Sequence, residues 1–293
     1  MKNVLITGSN GYIATAFVKQ FAGKYNFTLL SHKTTSGHIT WDELNKNQNL
    51  IQSIDVVLNL AGSNIGDKRW SEKRKEEILN SRLETTQKIV NLFNVRDKKP
   101  HLISASAIGI YDSNQINDEE TKIDYSHYGN FSEEITKRWE SEANQYLGPR
   151  TITRFGVVFS SNGGAFPKML KPFTLGMGGI LGDGSQYMPW VALFDLLNAL
   201  DFLIAHEKQG IYNIVAPDMK NNGELTHLIA KTWHKTSFMT MPKFLIKILF
   251  GQMGEELFLN SIKVSPQRLI SDKFIFKYPN LESALIAIKN KTL

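Results

Sequence analysis

A chain of 293 residues, 42% hydrophobic and 21% charged, has the length for one large domain or two interleaved ones and the composition to bury a real core. Its net charge of +6 is mild, and the densest basic stretch, residues 68–75, is diluted by Glu72 and followed by Glu76 and Glu77. That pattern reads as a solvated helix face and argues against a nucleic-acid partner. The absence of cysteine excludes disulfides, thiolate zinc sites and cysteine nucleophiles, and it suits a reducing cytoplasm. The seven histidines are scattered without a His-Glu-x-x-His, so no metal is expected. No secretory h-region precedes the first apolar strand, and no apolar run approaches the ~20 residues that cross a bilayer, so no membrane partner is expected.

The first predicted element sets the frame. An apolar β-type run, Val4 to Ile6, reaches Thr7-Gly8-Ser9-Asn10-Gly11, and helical spacing follows in Ile13, Phe17 and Phe21. Strand, tight glycine turn and helix in that order make an anion site, because the first turn of a helix leaves backbone N–H groups unpaired at the positive end of its dipole. Gly8 gives the turn its backbone freedom, Gly11 lets a diphosphate approach, and Ala14 permits close helix–strand packing.

The second strand, residues 27–30, ends at Ser31-His32-Lys33. A carboxylate there would take the ribose 2′-OH of NAD; a hydroxyl, an imidazole and an ammonium suit the 2′-phosphate of NADP instead. Residues 37–41 read as a short third strand delivering Asp42 towards an adenine amino group. Residues 54–60 form a near-continuous apolar run, as in a strand covered on both faces, and end in Leu60-Ala61-Gly62. Residues 72–93 have helical spacing, 101–106 read as a strand, 133–146 as a helix and 150–159 as a strand. This alternation predicts an α/β fold, a doubly wound parallel sheet.

The texture then changes. Seven glycines fall between residues 163 and 184, a stretch that can wrap a ligand but not continue the sheet. Residues 194–206 return to helical spacing and 211–215 to a strand. Beyond residue 222 the chain reads as short helices over 224–233, 243–250, 254–261 and 281–289. The apolar stripe from Phe244 to Leu259 is expected to pack into the core, since its polar face lacks the basic character of a membrane-surface helix.

The motifs in this order resemble the extended short-chain dehydrogenase/reductases, in particular the atypical epimerase-like subgroup. They are Thr7-Gly8-x-x-Gly11-x-Ile13, Asn59-Leu-Ala-Gly62, Asp67-Lys-Arg-Trp70 with Ser81-Arg82, Ser104-Ala-Ser106 through Tyr111, Trp139-Glu140, Arg154-x-Gly-Val-Val158, Gly163-Gly164, Lys168-Met-Leu, Tyr212-Asn213, Ala216-Pro217, Ser265-Pro266 and Tyr278-Pro279. The resemblance implies a Rossmann-type domain over 1–160, rejoined by about 191–215. A smaller, mostly helical substrate-side domain would comprise 161–190 and 216–293.

It also implies a small-molecule substrate, with nucleotide sugars typical of extended members. Cofactor contacts are implied at Gly8, Asn10, Gly11, Tyr12, Ile13, Ser31, His32, Lys33, Asp42, Leu60, Ala61, Gly62, Arg82 and Ser104, with NADP preferred over NAD. Ser106 falls where the superfamily keeps its catalytic hydroxyl, and Lys168, Tyr187 and Trp190 fall on the substrate side.

One departure bears on activity. The superfamily's acid is the Tyr of a Tyr-x-x-x-Lys, and no Tyr here has Lys four residues on. Ser132 and Thr136 occupy those positions, and neither titrates near neutrality. Glu134, Tyr111, Lys168 and Tyr187 are the replacement candidates. The expectation is an NADP(H)-binding oxidoreductase or epimerase-like protein, the alternative a non-catalytic NADP(H) sensor; a homodimer is compatible with both.

Overall fold

The computed structural model describes residues 1–31, 36–112 and 115–293. Its centre is a six-stranded parallel sheet, built from β1 (Asn3–Thr7), β2 (Asn26–Leu30), β3 (Val56–Asn59) and β4 (His101–Ala107), with two later strands. After the two-residue β5 (Ile116–Asn117) come β6 (Arg150–Phe155), β7 (Val157–Phe159), β8 (Gly179–Leu181), β9 (Trp190–Ala192) and β10 (Gly210–Ile214). The spatial order is β10-β6-β4-β3-β1-β2. From β1 the chain steps outward to β2, then returns to the other side for β3. The loops after β1 and β3 therefore part, opening a crevice at the C-terminal strand ends where doubly wound sheets bind ligands.

Both faces of the sheet are covered, and strand alternation distributes the side chains. Val4, Ile6, Val56, Leu58 and Ile103 point to one face and pack with α1 (Tyr12–Gln20) and a later helix over Leu193–Ala205. Leu5, Val57 and Leu102 point to the other, against Leu44 of α2 (Trp41–Lys46), Ile51 of α3 (Gln48–Ser53) and Ile89, Val90 and Phe93 of α4 (Glu72–Asn94). The next helices are α5 (Phe131–Asn144) and α6 (Phe166–Thr174), and the Leu193–Ala205 helix is α7.

The expected third strand is replaced by one bridge, Leu30 to Ile39, followed directly by α2. The reason is local: Thr40 and Glu43 form a capping box that starts a helix where the apolar pattern had suggested a strand. Asp42 therefore lies exposed in the first turn of α2, not at a strand end. The predicted strand 150–159 is likewise two strands, broken at Gly156, where a Cβ would stand 2.9 Å from the Pro189 carbonyl oxygen.

A second core, with Phe159, Phe166, Trp190, Leu225, Ile229, Leu281 and Leu285, holds α6, α8 (Asn222–Trp233) and the C-terminal helix Leu281–Lys289 together. Between them run β11 (Met239–Met241), paired with β8, then α9 (Lys243–Phe250), α10 (Gln252–Gly254), a π-helical turn over Glu255–Leu259, β12 (Lys263–Val264) and α11 (Gln267–Ser271). The C-terminal helix is α12. The apolar stripe of this region is only partly core: Ile246 and Met253 are buried, whereas Phe244, Ile248 and Leu249 are exposed.

Candidate functional site

The glycine turn joins β1 to α1 at the crevice. Gly8 sits at φ +65°, where a Cβ would lie 2.7 Å from both the Ala61 Cα and the Leu60 oxygen, so this position is restricted to glycine twice over. Gly11 N donates to the Gly8 carbonyl at 2.8 Å and serves as the α1 N-cap with no capping side chain. Most other long helices are capped: Ser71 on α4, Asn130 on α5, Asn221 on α8 and Asn280 on α12. Gly8, Asn10, Gly11, Tyr12 and Ile13 remain accessible around this uncapped end.

Buried polar contacts hold the walls. Thr7 Oγ1 donates to Asn59 Oδ1 at 2.7 Å, and Asn59 Nδ2 donates to Thr86 Oγ1 (2.9 Å) and Ser104 Oγ (3.3 Å). One asparagine thus ties β1, β3, β4 and α4 behind the crevice. Ser9 Oγ donates to the Leu30 carbonyl, fixing the turn against the end of β2. Ser31 is buried there, while His32 and Lys33 lie outside the described residues. The Tyr12 hydroxyl bonds with Ser160 Oγ at 2.7 Å, and Gly163 packs so closely on the Tyr12 ring that a Cβ would come within 2.5 Å. The Gly163-Gly164 pair therefore lies against the glycine turn.

Past the crevice, Ala61 is buried, Gly62 is exposed, and the Arg82 guanidinium lies against Gly62, 2.9 Å from where a Cβ would be. At the end of β4 the polar groups form a closed network. Ser106 Oγ donates to Glu140 Oε1 at 2.7 Å, and Arg154 binds the same carboxylate in a fork, Nε to Oε1 and Nη2 to Oε2, both at 2.8 Å. The Tyr125 hydroxyl donates to Oε2 at 2.7 Å. Arg154 also donates from Nη1 to the Tyr111 hydroxyl at 2.8 Å, whose own proton faces Asn213 Oδ1 (2.8 Å) and the Asp118 carbonyl (2.9 Å). Arg154 and Glu140 are 0% and 1% exposed, and the buried ion pair is supported by two bonds accepted at each carboxylate oxygen and by donation from all three guanidinium nitrogens. The paired carboxylate and phenol hold Arg154 firmly protonated although burial opposes it.

This network places several sequence candidates. Burial pushes the Tyr111 phenol up to about 12, against the opposing pull of Arg154, the reverse of what an acid working near neutrality needs. Ser106 is 2% exposed and its only proton is given to Glu140. Glu134 pairs with Arg138 one turn on, at 2.9 Å, at the half-exposed start of α5. Ser104 is fully buried. Lys168 Nζ reaches Asp67 at 2.6 Å, Tyr187 lies under Lys263 Nζ, and Trp190 is closed inside the second core with its indole N–H on the Asp218 carbonyl.

One group escaped the sequence. Glu256 accepts from Phe131 N (3.2 Å), Ser132 N (2.8 Å), Ser132 Oγ (2.7 Å) and Gln252 Nε2 (2.7 Å). A carboxylate from the π-helical turn thus seals the α5 N-terminus at Ser132, the residue in the missing tyrosine's place. Nothing in the local sequence marks Glu256, because its partner lies 124 residues away.

Residues 4–215 match the NAD dependent epimerase/dehydratase family, and residues 241–288 match a domain of unknown function (DUF1731). The chain belongs to the NAD dependent epimerase/dehydratase family. An epimerase family protein of Staphylococcus saprophyticus is 35% identical over 297 residues, covering 97% of this chain and 98% of that protein. The crystal structure of human epimerase family protein SDR39U1 with NADPH superposes with a TM-score of 0.90 at 31% identity, covering 98% of this chain and 99% of that one. A nucleoside-diphosphate sugar epimerase from Corynebacterium glutamicum follows with a TM-score of 0.78 and 28% identity, covering 99% of this chain and 58% of that one. In this epimerase-family chain the glycine turn and Asn59 both fall within the matched residues.

Proposed function

We propose that this chain binds NADPH in the crevice between the glycine turn and Ala61-Gly62, and there interconverts a hydroxyl and a carbonyl on a small-molecule substrate, nucleotide sugars being the favoured class. The observation that carries this reading is the uncapped α1 N-terminus beside a glycine at positive φ, in a turn packed so closely on the Leu60–Ala61 backbone that Gly8 has no room for a Cβ. The human relative crystallised with NADPH supports the choice of cofactor.

The chain's own residues would act as follows. Backbone N–H groups at the start of α1 hold the diphosphate, with the helix dipole adding to the attraction. Ser9 and the Asn59 network keep the two walls apart at a fixed spacing. The bound dinucleotide supplies or takes up the hydride. Ser106 is the residue we assign to the substrate oxygen, and its geometry sets the direction of that contact: with its proton on Glu140, Oγ accepts from a substrate hydroxyl rather than donating to a carbonyl.

A second reading, a non-catalytic NADPH-binding sensor, draws on α5: Ser132 and Thr136 stand where the family pattern has Tyr and Lys, and Glu256 closes that end. Loss of a general acid removes a factor of ~10²–10⁴.

Titrating NADPH and NADH separately, by fluorescence or calorimetry, tests the cofactor assignment. NADPH is expected to bind more tightly, because Ser31-His32-Lys33 offers no carboxylate to a 2′-OH; equal affinities, or tighter NADH, would overturn it. Turnover of a nucleotide sugar with NADP+, or of its keto form with NADPH, falling by roughly 10- to 100-fold in Ser106→Ala, separates the enzyme from the sensor.

A further inference from the structure

Three helices end around one groove beside the second core. Pro167, Leu170, Lys171 and Thr174, spaced i, i+3, i+4 and i+7, put one stripe of α6 opposite Trp233 at the end of α8 and Ile288 at the end of α12. With Lys289, Lys291 and the Ser161-Asn162 turn they enclose about 390 Å³. The floor is apolar: Phe166 and Ile288 are buried, and the Phe166 and Trp233 rings stand 5.5 Å apart.

The polar groups around this floor are one-sided. Every ionisable side chain lining the groove is a lysine, and no carboxylate faces them from its walls. On the same two helices Lys231 of α8 pairs with Glu282 of α12 at 2.8 Å, whereas Lys171, Lys289 and Lys291 pair with no carboxylate among the described residues. A lysine near a helix end often serves the open carbonyls. Lys289 does so, with Nζ on the Thr232 oxygen at 2.7 Å, but Nζ of Lys171 and of Lys291 has no such bond.

The Trp233 indole N–H has no partner among the described residues either and is accessible, whereas those of Trp70, Trp139 and Trp190 each donate to a protein oxygen. Ser161 gives its N–H, at 3.1 Å, and its hydroxyl to the Leu293 oxygen, and Thr174 gives its hydroxyl to the Lys171 carbonyl at 2.8 Å. What stays unengaged is positive charge and a donor above an apolar floor.

We propose that this groove binds a small amphipathic anion. Its hydrocarbon or aromatic body lies on Phe166, Leu170, Trp233 and Ile288, and its carboxylate or sulfonate head meets Lys171 and Lys291, with the Trp233 N–H as a directed donor. The volume, at the low end of the ~300–1,000 Å³ of small-molecule pockets, suits a medium-chain or single-ring acid. The groove is separate from the nucleotide crevice: Ser160 and Gly163 of the intervening turn lie against Tyr12, while Ser161 and Asn162 line the groove.

Octanoate, octanol and octylamine, titrated by calorimetry into protein saturated with NADPH, test the assignment, since the nucleotide keeps them out of the crevice. Octanoate should bind, octanol roughly 10-fold more weakly, and octylamine more weakly still, because the lysines repel its ammonium. The double variant Lys171→Gln/Lys291→Gln, changed at two exposed positions, should lose roughly 10- to 100-fold in octanoate affinity and bind octanol as the wild type does. Trp233→Phe keeps a ring against Phe166 and removes the N–H, so it should lose a smaller factor, for octanoate alone.

Should Trp233→Phe fail to fold, the lysine pair decides alone. Octanoate that does not bind the wild type at millimolar concentration overturns the proposal, as does octylamine binding as tightly as octanoate. So does a lysine double variant with undiminished octanoate affinity, or octanoate binding that NADPH abolishes, which would put the acid in the crevice. If the wild type takes up no NADPH, the same comparison of the lysine variants still locates the probe.

Discussion

At the scale of single residues, the two glycines of the turn do different work, and the difference is measurable. Gly8 is locked by its positive φ and by backbone atoms 2.7 Å from any Cβ. Gly11 has an ordinary φ of −73°, and its Cβ would meet only the Gly8 oxygen at 3.0 Å. Gly8→Ala should therefore lose stability outright, by at least the ~1–2 kcal/mol of a left-handed Ala plus the backbone shift it forces. Gly11→Val should keep most of its fold and lose NADPH, because its side chain enters the ligand's space. Melting curves and cofactor titrations on both proteins check this. A Gly11→Val protein with normal NADPH affinity would make the turn purely structural.

At the scale of elements, the sequence revealed what local physics controls. Strand–turn–helix at Gly8, the continuous apolar run ending at Asn59 and the helices 72–94 and 243–250 are visible because periodicity and turn residues act over a few positions. The strand expected at 37–41 failed because the Thr40–Glu43 capping box outweighed a weak apolar alternation. The split at Gly156 and the burial of Trp190 depend on chain segments far away in sequence, as does Glu256. The glycine turn at the crevice was legible from one motif, whereas the Ser106–Glu140–Arg154–Tyr111 network draws on β4, α5, β6 and the turn after β4, which no single stretch displays.

Glu256 gives this scale its test. It satisfies two backbone N–H groups and a hydroxyl at the start of α5, joining the C-terminal region to the nucleotide-binding sheet. Glu256→Ala should destabilise by roughly 1–3 kcal/mol, with Glu256→Gln intermediate, and amide exchange should speed up first at Phe131 and Ser132. Unchanged exchange there would show that water replaces the carboxylate at no cost.

The whole molecule's tolerance of acid depends on a histidine far from the crevice, at the opposite end of β4. His101 is buried, with Nε2 on Thr151 Oγ1 at 2.7 Å, and Thr151 gives its proton to the Lys208 carbonyl. The hydrogen between them must then come from Nε2, which leaves Nδ1 bare and without a partner. Burial, reinforced by Lys2, lowers the imidazole from 6.5 to about 4.

The sign follows from linkage. The unfolded chain takes up a proton below 6.5 while the folded one does not, so stability present above 6.5 is lost as pH falls towards 4, by at most about 1.4 kcal/mol per pH unit. Glu119 and Asp195 act oppositely, since burial raises both and favours their protonated, folded forms in acid. The difference between wild type and His101→Gln isolates the histidine, because Gln can still donate to Thr151 but cannot titrate. Denaturant unfolding at intervals from pH 7 to 4.5 should show the wild type losing stability faster than His101→Gln, the gap opening below 6.5. Parallel curves would mean that the imidazole is protonated in the folded protein as readily as in the unfolded chain.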